Sequence, residues 1–319
     1  MNAPEVQISI DDTILILSRA MQDRGGKLSD ITLVGGQALN FWADQYFGNR
    51  EDFVSGDIDL LGGTTEALRC AKAWNAKIQV ADLDSGMGSP NTAVVMIDRG
   101  IGLDAMRVDF LSNIIGPSVR DILKFRSEVL SKLGFSFYVM HPLHVMESRI
   151  SNAFYLGRKD ETAMRRLELS FSIVKAYTKD QLVQNSRKGL NIVERIVDLA
   201  FSEFGKKAWY FGHDPMTAIP IPRETTLYPI LFLEERWPRI QAELADKRES
   251  YANTMQQIEQ FHRQRPQQKQ DVGDLNQNQS SSTNPYQNNP WLQKHNGKTD
   301  DQFEKNAPKP TKNDWNGPS

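Results

Sequence analysis

The sequence is almost without cysteine: Cys70 is the single one among 319 residues. One cysteine excludes an intramolecular disulfide and a zinc site built from several thiolates, and it fits a reducing compartment. We expect Cys70 to act as a small buried apolar residue on a helix.

Long hydrophobic runs are also lacking. No stretch approaches the roughly 18 to 20 apolar residues that a membrane-spanning helix needs, and residues 1–10 do not follow the pattern of an export signal. A large excess of one charge is missing too, because 38 Lys and Arg residues face 40 Asp and Glu residues. We therefore expect a soluble cytoplasmic protein with no membrane partner and no overall positive field for nucleic acid.

The hydrophobic pattern predicts an α/β (α+β) fold with a mixed sheet and flanking helices, followed by an α-helical region and a disordered tail. Residues 57–61, 77–81, 92–97 and 106–111 are predicted strands, and residues 145–155, 162–177, 179–204 and 238–265 have helical spacing. Beyond residue 266, Gln, Asn, Ser and Pro replace the aliphatic residues. The predicted domains are 1–137 (catalytic), 138–265 (helical) and 266–319 (disordered tail).

Three aspartates form the most informative pattern. Asp57 and Asp59 are separated by one residue in a predicted strand, which places both carboxylates on one face, about 7 Å apart along the chain. Asp109 lies in a second predicted strand, where Val108 and Phe110 face the other way. Paired carboxylates repel unless a cation lies between them, so we expect a site for two divalent metal ions.

A glycine pair, Gly35 and Gly36, stands where the strand at 31–34 is followed by a helix. Glycines at such a junction let backbone N–H groups approach a phosphate, and the positive end of the helix favours it. The glycine pair alone also fits a plain turn, and the paired aspartates alone also fit a solvated acid pair. Their order, strand, Gly-Gly, helix, paired aspartates and a later strand aspartate, points to phosphate and metal chemistry together.

This order resembles the DNA polymerase beta-like nucleotidyltransferase superfamily, and within it the AbiEii-type toxins of toxin-antitoxin and abortive-infection systems. Residues 34–39, 55–60 and 108–110 carry the resemblance, which covers roughly residues 28–178. It implies that Asp57 and Asp59 hold Mg²⁺ or Mn²⁺ with an NTP, and that Asp109 joins the acceptor-side metal and helps to deprotonate the acceptor. It further implies that the glycines touch the triphosphate, with Ser55 adding a hydrogen bond to a phosphate.

Cations in the second half are candidates for binding the triphosphate. Arg149 takes the place of a lysine that the AbiEii-type group carries early in a helix, and Arg158 and Lys159 follow. A solvated helix face explains these cations equally well. His141, His144 and His213 are expected to cap or pack rather than to bind a ligand.

The leading hypothesis is a nucleotidyltransferase that moves a nucleotide from an NTP to a hydroxyl of tRNA, another RNA or a protein, as a toxin with a cognate antitoxin. Transfer to a small molecule such as an aminoglycoside is a related interpretation, which predicts a deep pocket with few basic residues. The alternative from another class is a catalytically degenerate member of this fold that acts as a binding or regulatory module.

Overall fold

The computed structural model describes residues 7–22, 31–48, 54–81, 90–100, 104–220 and 225–264. The described residues up to 260 belong to one compact unit. The predicted disordered tail, residues 266–319, lies outside the described residues, and the division into catalytic and helical domains remains a prediction.

The first half of the chain alternates between helices and strands. Its elements are α1 (Ile10–Gln22), β1 (Thr32–Leu33), α2 (Gly35–Phe47), β2 (Asp57–Leu61), α3 (Thr64–Ala73), β3 (Lys77–Val80), β4 (Asn91–Ile97), β5 (Met106–Leu111), α4 (Val119–Phe125), β6 (Ser127–Leu130) and β7 (Ser136–Val139). Cys70 is fully buried on α3, as predicted.

The seven strands form one sheet in the order β3-β4-β5-β2-β1-β7-β6. The pairs β2/β5 and β1/β7 are parallel, whereas the other neighbours are antiparallel. The predicted mixed sheet with flanking helices is thereby confirmed. Strands β6 and β7 and helix α4 were not predicted from the sequence.

The second half of the described chain is helical. It contains α5 (Pro142–Phe154), α6 (Glu161–Gln184), α7 (Ser186–Phe201), α8 (Glu203–Tyr210) and α9 (Trp237–Gln264), with short helical turns between α8 and α9. The predicted break near residue 178 is wrong, because Thr178 is buried inside α6. The break lies at Asn185, whose side chain accepts a hydrogen bond from the Lys188 N–H and so starts α7.

Two hydrophobic clusters hold these elements together. The first surrounds the sheet and includes Ile58 of β2 and Val108 of β5, together with Leu169 and Ile173 of α6. The second lies among the later helices. Helix α6 contributes to both clusters, so the helical region packs directly on the sheet. None of the helices among the described residues is both long enough and apolar enough to cross a membrane.

Candidate active site

The central parallel strand pair brings the three predicted aspartates together. Asp59 on β2 lies directly opposite Asp109 on β5 in the strand register. One carboxylate oxygen from each of Asp57, Asp59 and Asp109 lies within 4.8 Å of the other two. Because the even-numbered neighbours, such as Ile58 and Val108, are fully buried on the opposite side, the acids are held on a rigid surface. These three residues are called the acidic site below.

The acidic site is electrostatically unbalanced. Burial, together with the neighbouring charges of Asp57 and Asp109, raises the pKa of Asp59 to about 6. Arg149 and a hydrogen bond from the Gly36 N–H act in the opposite direction but do not offset this rise. Three carboxylates this close need additional positive charge, which a divalent cation would supply.

Arg107 contributes part of that charge. Its Nε lies 2.8 Å from Oδ1 of Asp109, and this ion pair joins a half-exposed guanidinium to a nearly buried carboxylate. Asp109 is therefore oriented by its own strand neighbour, which lies two positions earlier on the same face. Arg107 was not predicted as a site residue, although its spacing from Asp109 places both side chains on one face of a strand.

The glycine pair lies against the acidic site. Gly35 begins α2 with a φ of 62°, in the left-handed region that favours glycine. A Cβ atom at Gly35 would overlap the carboxyl group of Asp59, and one at Gly36 would lie 2.7 Å from Oγ of Ser55. The absence of side chains at both positions is thus required for the turn to approach the acids.

Ser55 links the turn to the aspartates. Its side chain is nearly buried, and its hydroxyl donates a hydrogen bond of 3.1 Å to Oδ1 of Asp57. The residue that was predicted to bind a phosphate therefore orients a carboxylate in this structure. It also lines the open cleft, so its oxygen remains close to the space where a ligand would lie.

A cleft of about 370 Å³ opens over the acidic site. Its lining includes both glycines, Ser55 and the three aspartates, and it also includes three arginines, Arg149, Arg158 and Arg166. Burial, followed by the repulsion of Arg166, lowers the pKa of Arg149 to about 10. The Nε atom of Arg149 is buried without a hydrogen-bond partner among the described residues. A cation with an unused donor thus faces a cluster of excess negative charge.

Lys159 is placed elsewhere. Its ammonium group lies 3.8 Å from the ring centroid of Phe211 and 5.5 Å from that of Phe154, and Lys159 is not among the residues that line the cleft. Arg166, which the sequence reasoning missed, lines the cleft instead and donates a hydrogen bond of 3.0 Å to the Val54 carbonyl. Ser148 and Asn152 of α5 also line it, at helical spacing from one another.

None of His141, His144 and His213 lines the cleft. His141 caps α5 by accepting a hydrogen bond from the Leu143 N–H at 3.2 Å, and its Nε2 lies 3.0 Å from the Tyr177 hydroxyl. His144 is buried, with Nε2 2.7 Å from Nη2 of Arg195. His213 packs near Phe154. The expectation that these residues cap or pack agrees with these contacts.

Comparisons with known proteins give no assignment by sequence. No protein-family model matches the chain, and no curated protein is significantly similar to it. Among solved structures, the Megavirus polyadenylate synthase is similar with a TM-score of 0.31 and 12% identity, covering 57% of this chain and 37% of that one. JHP933 from Helicobacter pylori gives a TM-score of 0.32 and 14% identity, covering 82% of this chain and 98% of that one.

The chain thus spans little more than a third of the polyadenylate synthase. Both TM-scores are too low to define a shared fold, so the functional argument rests on the geometry of the chain itself.

Proposed function

We propose that this protein is a metal-dependent nucleotidyltransferase, which joins the nucleotide of an NTP to a hydroxyl acceptor and releases pyrophosphate. The observation that carries the proposal is the approach of three carboxylates on two parallel strands to within reach of one ion. The glycine turn on one side and three arginines in the same cleft supply complementary surfaces for phosphates.

The residues of the acidic site fit a divalent cation. Mg²⁺ and Mn²⁺ prefer carboxylate oxygens, and a bound cation would offset the rise in the pKa of Asp59 that burial and the charges of Asp57 and Asp109 cause. Asp57, Asp59 and Asp109 would hold the metal. When bound, the metal neutralises charge on the attacking and leaving oxygens of an in-line displacement.

The protein's own residues would position the reaction. The acceptor hydroxyl oxygen attacks the α-phosphorus, the bond from that phosphorus to the bridging oxygen of the β-phosphate breaks, and pyrophosphate leaves. Asp109 takes the hydroxyl proton, and Arg107 holds its carboxylate in place. Arg149, Arg158 and Arg166 neutralise the charge that develops on the departing pyrophosphate.

A labelling experiment tests the chemistry. The pure protein, with Mg²⁺ and cell extract, should transfer label to a macromolecule from an NTP labelled at the α-phosphate, but not from one labelled at the γ-phosphate. The double variant Asp57→Ala/Asp59→Ala should abolish the transfer, whereas Asp104→Ala, which removes an exposed acid outside the cleft lining, should not. No labelling with any NTP, or labelling by the double variant, would refute the proposal.

Calorimetry separates this function from a non-catalytic binding module of the same architecture. The enzyme requires Mg²⁺-dependent NTP binding that disappears in the double variant. A degenerate module would show no such binding while it remains folded.

The acceptor and the biological role are further parts of the proposal, motivated by the sequence resemblance. We propose an RNA end, including tRNA, or a protein hydroxyl as acceptor, and a growth-arresting toxin role with a cognate antitoxin. Digestion of the labelled product decides the acceptor: loss of label with nuclease indicates RNA, and loss with protease indicates protein. Growth arrest on expression that the double variant abolishes would support the toxin role, and normal growth would contradict it.

A further inference from the structure

The segment before α1 is joined to the candidate active site by buried polar contacts. The backbone of Ile8 pairs with Ser55 through two hydrogen bonds, Ile8 N–H to Ser55 carbonyl at 2.8 Å and Ser55 N–H to Ile8 carbonyl at 3.2 Å. Ile8 itself is fully buried. The backbone of Ile8 is thus held beside Ser55, which lies two residues before Asp57.

The same carbonyl accepts a second hydrogen bond. Nε2 of Gln37 donates to the Ile8 carbonyl oxygen at 2.9 Å, and Gln37 is fully buried in the first turn of α2, directly after the glycine pair. The Ile8 carbonyl therefore links the start of α2 to the start of β2. We call the set of Ile8, Gln37 and Ser55 the N-terminal bridge.

The orientation of the Gln37 amide follows from its surroundings. Exchanging its nitrogen and oxygen would bring two oxygens together at 2.9 Å, so the nitrogen must face Ile8. The other amide atom, Oε1, is then buried without a partner among the described residues. A buried amide with one unsatisfied atom costs stability that an apolar side chain would avoid.

The N-terminal bridge continues into the acidic site. The Ser55 hydroxyl bonds to Asp57, and a Cβ at Gly36 would lie 2.7 Å from that hydroxyl oxygen. On the other side of the turn, the Val34 N–H donates to the Asp59 carbonyl at 3.0 Å. Hydrogen bonds thus connect the glycine turn with β2 on both sides of the two glycines. Val34 makes the connection before them, and Gln37 makes it after them through Ile8 and Ser55.

We propose that Gln37 is a positioning residue, which acts through Ile8 and Ser55 to hold the glycine turn and the paired aspartates at a fixed separation. It does not line the cleft, so it would not touch a ligand. The inference deepens the proposed function, because a fixed separation matters most where phosphate and metal are bound together.

The test compares two buried side chains that each donate to a backbone carbonyl, one just before α1 and the other inside α1. Gln37→Met removes the bond to Ile8 while keeping a similar shape. Trp74→Phe is the matched control, because Nε1 of Trp74 donates to the Ile16 carbonyl at 2.9 Å and Trp74 does not line the cleft. Both variants should lower the melting temperature.

Only Gln37→Met should change the site. We expect its affinity for Mn²⁺, measured by calorimetry, to fall about tenfold, as for other indirect supports of metal ligands. Hydrogen exchange at the amides of residues 36–39 should also become faster. Trp74→Phe should keep Mn²⁺ affinity and this exchange within about twofold of the unaltered protein. A folded Gln37→Met protein with unchanged exchange and affinity would overturn the proposal.

A second variant covers failure of Gln37→Met to fold. Gln37→Glu keeps the shape, and its protonated carboxyl can still donate to Ile8, whereas its ionised form cannot. Exchange at residues 36–39, relative to the unaltered protein at the same pH, should be normal while the introduced carboxyl is protonated and faster once it is ionised. Exchange that does not change while that carboxyl ionises would count against the bridge. If the unaltered protein binds no Mn²⁺, the proposed function fails while the exchange measurement still decides this inference.

Discussion

Two partly buried polar clusters lie where the sheet meets the helices, and they differ in how their charges are balanced. The acidic site contains three carboxylates and a raised pKa, at about 6, for Asp59. The second cluster, which we call the histidine junction, contains His141, His144, Tyr177 and Arg195. Burial lowers the pKa values of its two histidines to about 3 and about 4, so both are neutral near pH 7.

The difference distinguishes a ligand site from a structural support. In the histidine junction, His141 uses both ring nitrogens in contacts within the protein, and His144 accepts from a guanidinium. In the acidic site, repulsion between like charges remains after all contacts within the protein have formed. Such an imbalance lowers the stability of the protein alone and is relieved by a bound cation.

The largest expected effect is on catalysis at the acidic site. Asp109→Asn should reduce nucleotidyl transfer at least about a thousandfold, because a carboxylate that holds the metal and accepts the proton is lost. His144→Gln in the histidine junction should leave transfer within about twofold. Rates from the labelling assay and melting curves of both variants provide the measurement. Equal losses of transfer in two folded variants would show that the two clusters are not functionally distinct.

The next effect concerns the arginines that face the acids. Arg149→Met should weaken NTP binding about a hundredfold, since a guanidinium that lines the cleft and has an unused Nε donor is removed. Lys159→Met should change binding less than about twofold, because that ammonium lies on the Phe211 ring outside the cleft lining. Titration calorimetry with Mg²⁺ and NTP measures both. A strong effect of Lys159→Met would restore the sequence-based assignment of that residue.

A third prediction concerns stability without metal. The pKa of Asp59 is higher in the folded than in the unfolded state, so its contribution to stability is greatest below about pH 4 and is lost as the pH rises through about 6. Asp59→Asn should therefore raise the free energy of unfolding at pH 8, by roughly 3 kcal/mol at most. Urea unfolding in chelator checks this value. If Asp59→Asn were less stable than the unaltered protein at pH 8, the charge on Asp59 would not destabilise the folded state.

The smallest expected effect at pH 8 belongs to the histidine junction, whose pH dependence has the opposite sign. The folded-state pKa values of His141 and His144 lie below the unfolded value, so their contribution is fully present above about pH 6.5 and is lost as the pH falls toward 4. The double variant His141→Gln/His144→Gln should flatten this acid-side loss and should lower stability at pH 8 by about 1 kcal/mol through lost contacts. Unfolding curves at pH 5 and pH 8 test it. An unchanged pH dependence would show that neither histidine is held neutral.

Much of the acidic site could be predicted from the sequence, because its signal is local. Alternation of apolar and acidic residues identified β2 and β5, and a glycine pair before a helix identified the turn. The proximity of Asp109 to Asp59 depends on which strands are neighbours, which no local pattern specifies. The structure confirms that proximity.

The cations were harder to assign. Arg149 lies inside helix α5, whereas Lys159 comes after α5 has ended at Phe154 and the chain has turned through Gly157 at a φ of 71°. Arg166 was missed because a helical arginine usually faces solvent, and only the packing of α6 on the sheet brings it to the cleft. The N-terminal bridge depends on a backbone contact and had no signal in the side-chain pattern.

The register of β2 and β5 has a consequence for how the protein tolerates change. The separation of Asp59 from Asp109 follows from the spacing of two hydrogen-bonded strands, about 4.8 Å, which is a property of the peptide backbone. Side-chain substitutions around these strands would leave that spacing unchanged. One residue inserted in β2 before Asp59, or in β5 before Asp109, would turn that aspartate to the opposite side of the sheet. The two carboxylates would then be separated, even though every original side chain would still be present.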